Sequence, residues 1–242
     1  MTMEKRISPD RFKILSGSML KLIAIITMLI DHAALVLAPQ IPLLTVPFVT
    51  IAAKEISLYF LMRKIGRLAF PIFCFLVTEG FAHTKNKKRY AISLLLFALI
   101  SEIPFNMLNG GQMMNLKTQN IFFTLFLGVM MLTVFEYVRK ELFRAILFIG
   151  IGIIAVLVKS DYGLKGVLLI LLMYLLKNRP AVQAVLSYPL LSGGVAAFAA
   201  FVPINMYNGQ RGFIKSPVMK YAFYLFYPVH IVLLIGIKHI LM

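Results

Sequence analysis

The chain has 242 residues, is 60% hydrophobic, and combines a net charge of +16 with a mean hydropathy of +0.88. No water-soluble domain of this size is so apolar throughout, so composition places it among polytopic membrane proteins. The cations are interleaved with apolar runs and form no basic domain for nucleic acid. The single cysteine, Cys74 in FPIFCFLV, excludes an intrachain disulfide and a cysteine-based metal site, and reads as a small buried hydrophobe.

The basic, polar MTMEKRISPDRFK precedes an apolar stretch longer than a signal-peptide core, with no A-x-A-like site closing it. We read residues 1–16 as a cytoplasmic segment leading into an uncleaved first span. Candidate spans follow at 17–38, 67–83, 90–106, 120–138, 143–158, 164–177, 181–203 and 219–240. All are expected to be helices, because lipid leaves no partner for unpaired backbone groups and these runs lack barrel-type alternation. The expected fold class is therefore all-α. It is a polytopic transmembrane helical bundle of about eight spans, a single domain over 1–242 surrounding a polar intramembrane cavity.

The stretch 41–62, IPLLTVPFVTIAAKEISLYFLM, is apolar but interrupted by Pro42, Pro47, Lys54 and Glu55. It reads as a ninth span, a re-entrant segment or an interfacial one. The basic loops arbitrate in favour of eight spans. They put Lys5, Arg6, Arg11, Lys13, Lys21, the 83–90, 138–144 and 177–179 clusters and Lys238 inside, and Lys117, Lys159 and Lys215 outside. Both termini are then cytoplasmic, in the cytoplasmic membrane. Arg63, Lys64, Arg67 and Arg211 fall toward the outer side, which suggests that they face a cavity.

Polar residues inside the spans mark candidate sites. Asp31 and His32 stand side by side in KLIAIITMLIDHAALVLA, either as glue between helices or as proton-handling groups. Lys21 lies eleven residues before His32 on the same helical face, about 16 Å away. Arg67 opens the next span and is expected to pair with Asp31 or Glu102. Glu79 and His83 follow at i, i+4, and the tail containing Lys87, Lys88 and Arg89 could meet lipid phosphate or the phosphates of a nucleotide-like donor. Glu102 sits near the outer end of its span, and Asn120 offers an amide at the start of another. Asp161, in SDYGLKG, reads as a cap or turn residue. NMYNGQRG contributes Tyr207, Asn208 and Arg211, with Asn208-Gly209 a tight turn, and the last span adds Tyr227 and His230. There is no GxSxG, Walker loop, HExxH or CxxC, and His32, His83, His230 and His239 form no spaced metal motif.

Several stretches together resemble the TraX family: LKLIAIITMLIDH (20–32), GRLAFPIFCFLVTEGFAHT (66–84), LLFALISEIPFN (95–106), QNIFFTLFLG (119–128), DYGLKGVLLILL (161–172), YNGQRG and KYAFYLFYPVHI. That family is named for a conjugation protein that N-acetylates a pilin subunit, and it looks related to integral-membrane acyltransferases. The latter commonly carry a basic residue, ten residues and a histidine on the first span, matched here by Lys21 and His32, with lysine where arginine is usual. Lysine is a point charge, not a bidentate fork, so this departure weakens a phosphate-clamping role. The resemblance implies an acetyltransferase that uses acetyl-CoA as donor substrate, holds no permanent cofactor, and acts on an amine or hydroxyl acceptor at or across the membrane. His32 would be the general base, oriented by Asp31. Lys21, Arg67, Lys87, Lys88 and Arg89 would bind the donor. Glu79, Glu102, Asn120, Tyr207, Asn208, Arg211, Tyr227 and His230 would line the acceptor side or cavity. The acceptor stays open among peptide, glycan and lipid-linked sugar. The alternative is a proton-coupled transporter or flippase using the same buried charges.

Overall fold

The computed structural model describes residues 12–109 and 118–242. Lys5, Arg6, Arg11 and Lys117, used above to set topology, lie outside the described residues. The protein is mostly helical. Three helices are long and apolar enough to cross a membrane: Gly17–Leu37 (α1), Lys87–Leu108 (α4), and Val218–Ile240 within Pro217–Ile240 (α11). Each starts at a side-chain cap: Ser16 accepts from Met19 N, Asn86 from Arg89 N, and Ser216 from Met219 N. Between them run the shorter Leu58–Gly66 (α2), Ala69–His83 (α3), Ile121–Tyr137 (α5), Glu141–Leu157 (α6) and Gly163–Leu175 (α7).

The all-α class and one expected span are corrected. The 41–62 stretch, left open between a ninth span, a re-entrant segment and an interfacial one, is not a continuous helix. After a short 3-10 turn at Pro42–Leu44 it forms an antiparallel hairpin, Pro47–Ile51 (β1) with Lys54–Ser57 (β2), so the fold is not purely α. Pro42 and Pro47 break helical continuation. Ala52 and Ala53 both take positive φ, 48° and 62°, as a tight hairpin turn demands.

The expected span 181–203 is also broken, into Pro180–Ser187 (α8), a 3-10 turn at Tyr188–Leu190, Val195–Phe198 (α9) and Phe201–Asn205 (α10). Pro189 interrupts the first leg, and Gly194, at φ +58°, supplies a backbone conformation that a β-carbon would disfavour. Asn178 lies beside Tyr207 and Asn208 in a groove at the end of the bundle where α1 begins, the near end. Gly193 packs against Arg67 at the opposite, far end. The segment therefore climbs and returns instead of crossing once.

That extra leg reverses the last helix. At the near end Ser18 Oγ donates to the Arg211 carbonyl (2.7 Å) and accepts from Ile214 N (2.9 Å); further along, His32 meets His230. Hence α1 and α11 run parallel, and the start of α1 and the end of α11 lie at opposite ends of the bundle. Arg211 and Lys215 move to the near end, and Lys238 to the far end.

The core joins α1, α3, α4, α5, α7 and α11 through Leu20, Phe70, Phe81, Leu94, Leu132, Ile170 and Ile231, all essentially buried. The outward faces stay apolar: Ile149, Leu157, Leu99 and Leu233 are more than half exposed, as helices bathed in lipid require.

Candidate functional site

A pocket of about 140 Å³ opens at the far end, lined by Asp31 and His32 of α1, Arg63 and Gly66 of α2, Arg67, and Tyr227 of α11, with Asp161 and Tyr162 from the turn before α7. Its position follows from local structure. Ser57 caps α2 by accepting from Phe60 N, and the next turns carry Arg63 and Gly66 against α1. A β-carbon at Gly66 would stand 2.2 Å from Asp31 Cβ, so only glycine permits this approach. The turn before α7 is pinned to the start of α5: Gln119 N donates to Lys159 O, Asp161 N to Gln119 O, and Thr124 Oγ1 to Ser160 Oγ. This holds Asp161 and Tyr162 over the pocket, with Tyr162 stacked on Phe70.

The charges are of both signs. Arg63 Nη1 binds Asp31 Oδ2 at 2.7 Å, so Arg63, not Arg67, is the direct partner of Asp31. Asp31 Oδ1 is buried and has no hydrogen-bond partner among the described residues. Arg67 and Arg63 act on Asp161, with Asp31 opposing them. Asp161 has part of its surface open to the pocket, yet the protein around it withholds most of the bulk water. That desolvation pushes its carboxyl up to about 6, against the pull of Arg67.

The histidines form a directed chain. His32 Nδ1 lies 2.6 Å from His230 Nε2, and His230 Nδ1 lies 2.6 Å from the Phe226 carbonyl. The two rings are coplanar to 1° with centroids 4.9 Å apart, the geometry of an in-plane bond and not of a face-to-face stack. A carbonyl only accepts, so His230 carries its proton on Nδ1. Two imidazolium ions bonded to one another beside Arg63 and Arg67 are excluded by repulsion. With both rings neutral, the hydrogen-bond pattern assigns His32 Nδ1–H as donor to His230 Nε2, which leaves the His32 Nε2 lone pair without a partner among the described residues. Tyr227 packs edge-on against both rings, at 6.0 and 5.8 Å.

Glu102 and Asn120 lie nearby but are engaged with each other. Asn120 Nδ2 donates to Glu102 Oε2 (2.6 Å) and to the Ala98 carbonyl (2.7 Å), while its Oδ1 caps α5 at Phe122 N. Asn120 is thus a helix cap and no free amide donor, and Glu102 pairs with it and not with Arg67.

The other expected residues stand at the near end. Tyr207 hydrogen-bonds Glu79, which also faces His83 at 3.4 Å. Asn208 accepts from Gln210 N within its turn. Glu79, Tyr207 and Asn208 line a groove of about 480 Å³ with Lys13, Lys177 and Asn178, separate from the histidine pocket. Lys87 donates to the Phe81 carbonyl and lies over the Phe81 ring, closing the end of α3. Lys88 is exposed, and Lys21, Arg89 and Arg211 stay at this end. Sequence reading did not assign Asp161, Tyr162 or Lys220 to a site. The signal it held for Arg63 was a cation on the side of the bundle where few were expected.

A helical membrane protein with a charge-lined pocket at one end of the bundle and a histidine chain is the class these features define. The chain belongs to the TraX family, described as TraX protein, whose family profile matches residues 16–238. It is also similar to the probable fimbrial assembly protein FimC, serogroup H1, of Dichelobacter nodosus: 29% identical over 250 residues, covering 92% of this chain and 96% of that protein. No solved structure matches. The family and this relative overturn the expectation of an acyltransferase open to any amine or hydroxyl acceptor, glycan and lipid-linked sugar included. They lend nothing to the transporter alternative or to the wider acyltransferase likeness.

Proposed function

We propose that this chain is a membrane-embedded assembly factor for pili or fimbriae, and that its chemistry is acetylation of the pilin-type subunit. Two lines support the role: TraX family membership and the likeness to a protein named for fimbrial assembly. The observation that carries the chemistry is the Phe226–His230–His32 chain, which presents a His32 Nε2 without a partner among the described residues at a pocket in an apolar bundle. Such a nitrogen is suited to take the proton from a subunit's amine as that nitrogen bonds to an acetyl carbon and a thioester carbon–sulfur bond breaks; the thiolate then leaves. Acetyl-CoA is the proposed acetyl source. Asp31 Oδ1, buried without a partner among the described residues, is placed to accept from the incoming amine, while Oδ2 keeps Arg63. In this reading the shorter helices complete the crossing of the cytoplasmic membrane, and the cation-rich near end faces the cytoplasm.

The test is co-expression with the pilin subunit from the same cell and intact mass measurement of that subunit. A gain of one acetyl group, lost with His32→Ala in a protein that still inserts, is the expected result. An unmodified subunit whose fimbriae still require the chain would leave an assembly role without acetylation.

A further inference from the structure

The near end carries cations that take no part in the proton transfer proposed at His32. Lys21 comes from α1, Arg89 from α4, Arg211 from the loop before α11, and Lys220 from the first turns of α11. Arg211 and Lys220 are the charges acting on Lys21, and Arg89 and Arg211 act on Lys220. Among the described residues none of the four is ion-paired with a carboxylate.

These groups are held in place. The Lys220 ammonium sits 5.6 Å from the Tyr90 ring centroid and 5.7 Å from those of Tyr221 and Tyr224. Tyr90 and Tyr224 are hydrogen-bonded to each other, and Tyr221 is tied to Ser93 and Arg89. An aromatic box fixes a cation by electrostatic attraction to the ring faces but neutralises none of its charge.

The helices make the arrangement costlier. α1, α4 and α11 all begin here, and each start carries partial positive charge from its free N–H groups. Cations are ordinarily disfavoured at such ends and anions favoured. Three positive helix ends and four cations without a carboxylate are relieved by one kind of ligand, an anion bearing more than one charge.

We infer that Lys21, Arg89, Arg211 and Lys220 form a binding site for a phosphate ester or diphosphate at the near end of the bundle. Two arginine forks and two ammonium groups suit the several oxygens of a diphosphate better than one carboxylate. Lys87 is outside the site, because the Phe81 carbonyl and ring already hold its ammonium. The phosphate can come from a soluble molecule or from a lipid headgroup. The inference does not rest on acetylation: an inactive protein that binds phosphate here would remove the chemistry and keep the site.

The experiment is calorimetric titration of inorganic pyrophosphate into the full chain in nanodiscs of zwitterionic lipid, with native mass spectrometry of lipid retained from phosphatidylglycerol nanodiscs as the second arm. Saturable pyrophosphate binding is expected, weakened about tenfold or more by Arg211→Gln and by Lys220→Gln, and unchanged by Lys54→Gln in the exposed hairpin before α2. Arg211 is exposed, so its replacement leaves packing intact. Absent pyrophosphate binding with phosphatidylglycerol retention that falls in the same two variants would assign the phosphate to lipid. Binding of neither, or binding of either that Arg211→Gln and Lys220→Gln leave unchanged, would overturn the site.

Discussion

The two ends of the bundle handle charge in opposite ways. At the far end Arg63 and Arg67 face Asp31 and Asp161 around a small pocket, and the histidines pass one hydrogen bond to a carbonyl. At the near end Lys21, Arg89, Arg211 and Lys220 stand together beside aromatic rings with no carboxylate partner among the described residues, while Glu79 is engaged separately with Tyr207 and His83. Ionisable groups away from water need partners within the protein, so the far end is built from complementary pairs. Cations at a headgroup surface or a phosphate need only anions from outside, so this near-end cluster can carry one sign. The far end is thus sensitive to geometry, and the near end to salt and ligand.

This contrast can be broken at chosen points. The largest effect is expected from His32→Ala, which removes the free nitrogen and should lower subunit acetylation by roughly 10²–10⁴-fold while leaving pyrophosphate binding at the near end unchanged. Product mass and calorimetry on the same preparation check both halves. His230→Ala should slow turnover less and leave the KM for the subunit unchanged, because His230 acts by orienting His32; separate kcat and KM measurements test this.

Gly66→Ala should destabilise the protein by about 1–3 kcal/mol, the usual cost of overpacking, because the new methyl overlaps Asp31. Thermal unfolding in detergent reads this. A native Tm would show that α1 and α2 are not so close. Asn120→Ala should cost about 1 kcal/mol through loss of the α5 cap, with Glu102 losing the Asn120 side-chain amide but keeping its hydrogen bond from Asn106.

The smallest effect concerns pH. The Asp161 carboxyl rises from 3.8 to about 6 on folding, so the folded protein holds this proton more tightly than the unfolded chain does. Its stabilising contribution is complete below the unfolded value and is lost as pH rises through the folded one. Between these values the Tm of the wild-type protein should fall with rising pH relative to Asp161→Asn. Parallel slopes would show that Asp161 is not shielded by the pocket.

Much of the helical frame was legible because hydropathy and caps are local signals. The expected spans at 17–38, 90–106, 120–138 and 219–240 lie close to α1, α4, α5 and α11. Asp31, His32 and His230 stood out because polar groups within apolar runs are costly. The misreadings came from residues whose meaning depends on distant neighbours. Pro189, Gly194 and Pro203 allowed a kinked span as readily as two short legs. Asp161 read as a turn residue because the contact of its turn with Gln119 joins positions far apart in the chain.

The amino-acid sequence by itself determined that this is an apolar, helix-rich chain of the membrane class, with a carboxylate and an imidazole inside its first span and cations gathered in its loops. Only the tertiary structure decided that Arg63 answers Asp31, that His230 orients His32, and that 181–203 doubles back and turns the last helix parallel to the first. Hydrophobic periodicity records which residues leave water. It does not record which helices meet or how many times the chain crosses the bundle, because those depend on packing between segments far apart in sequence.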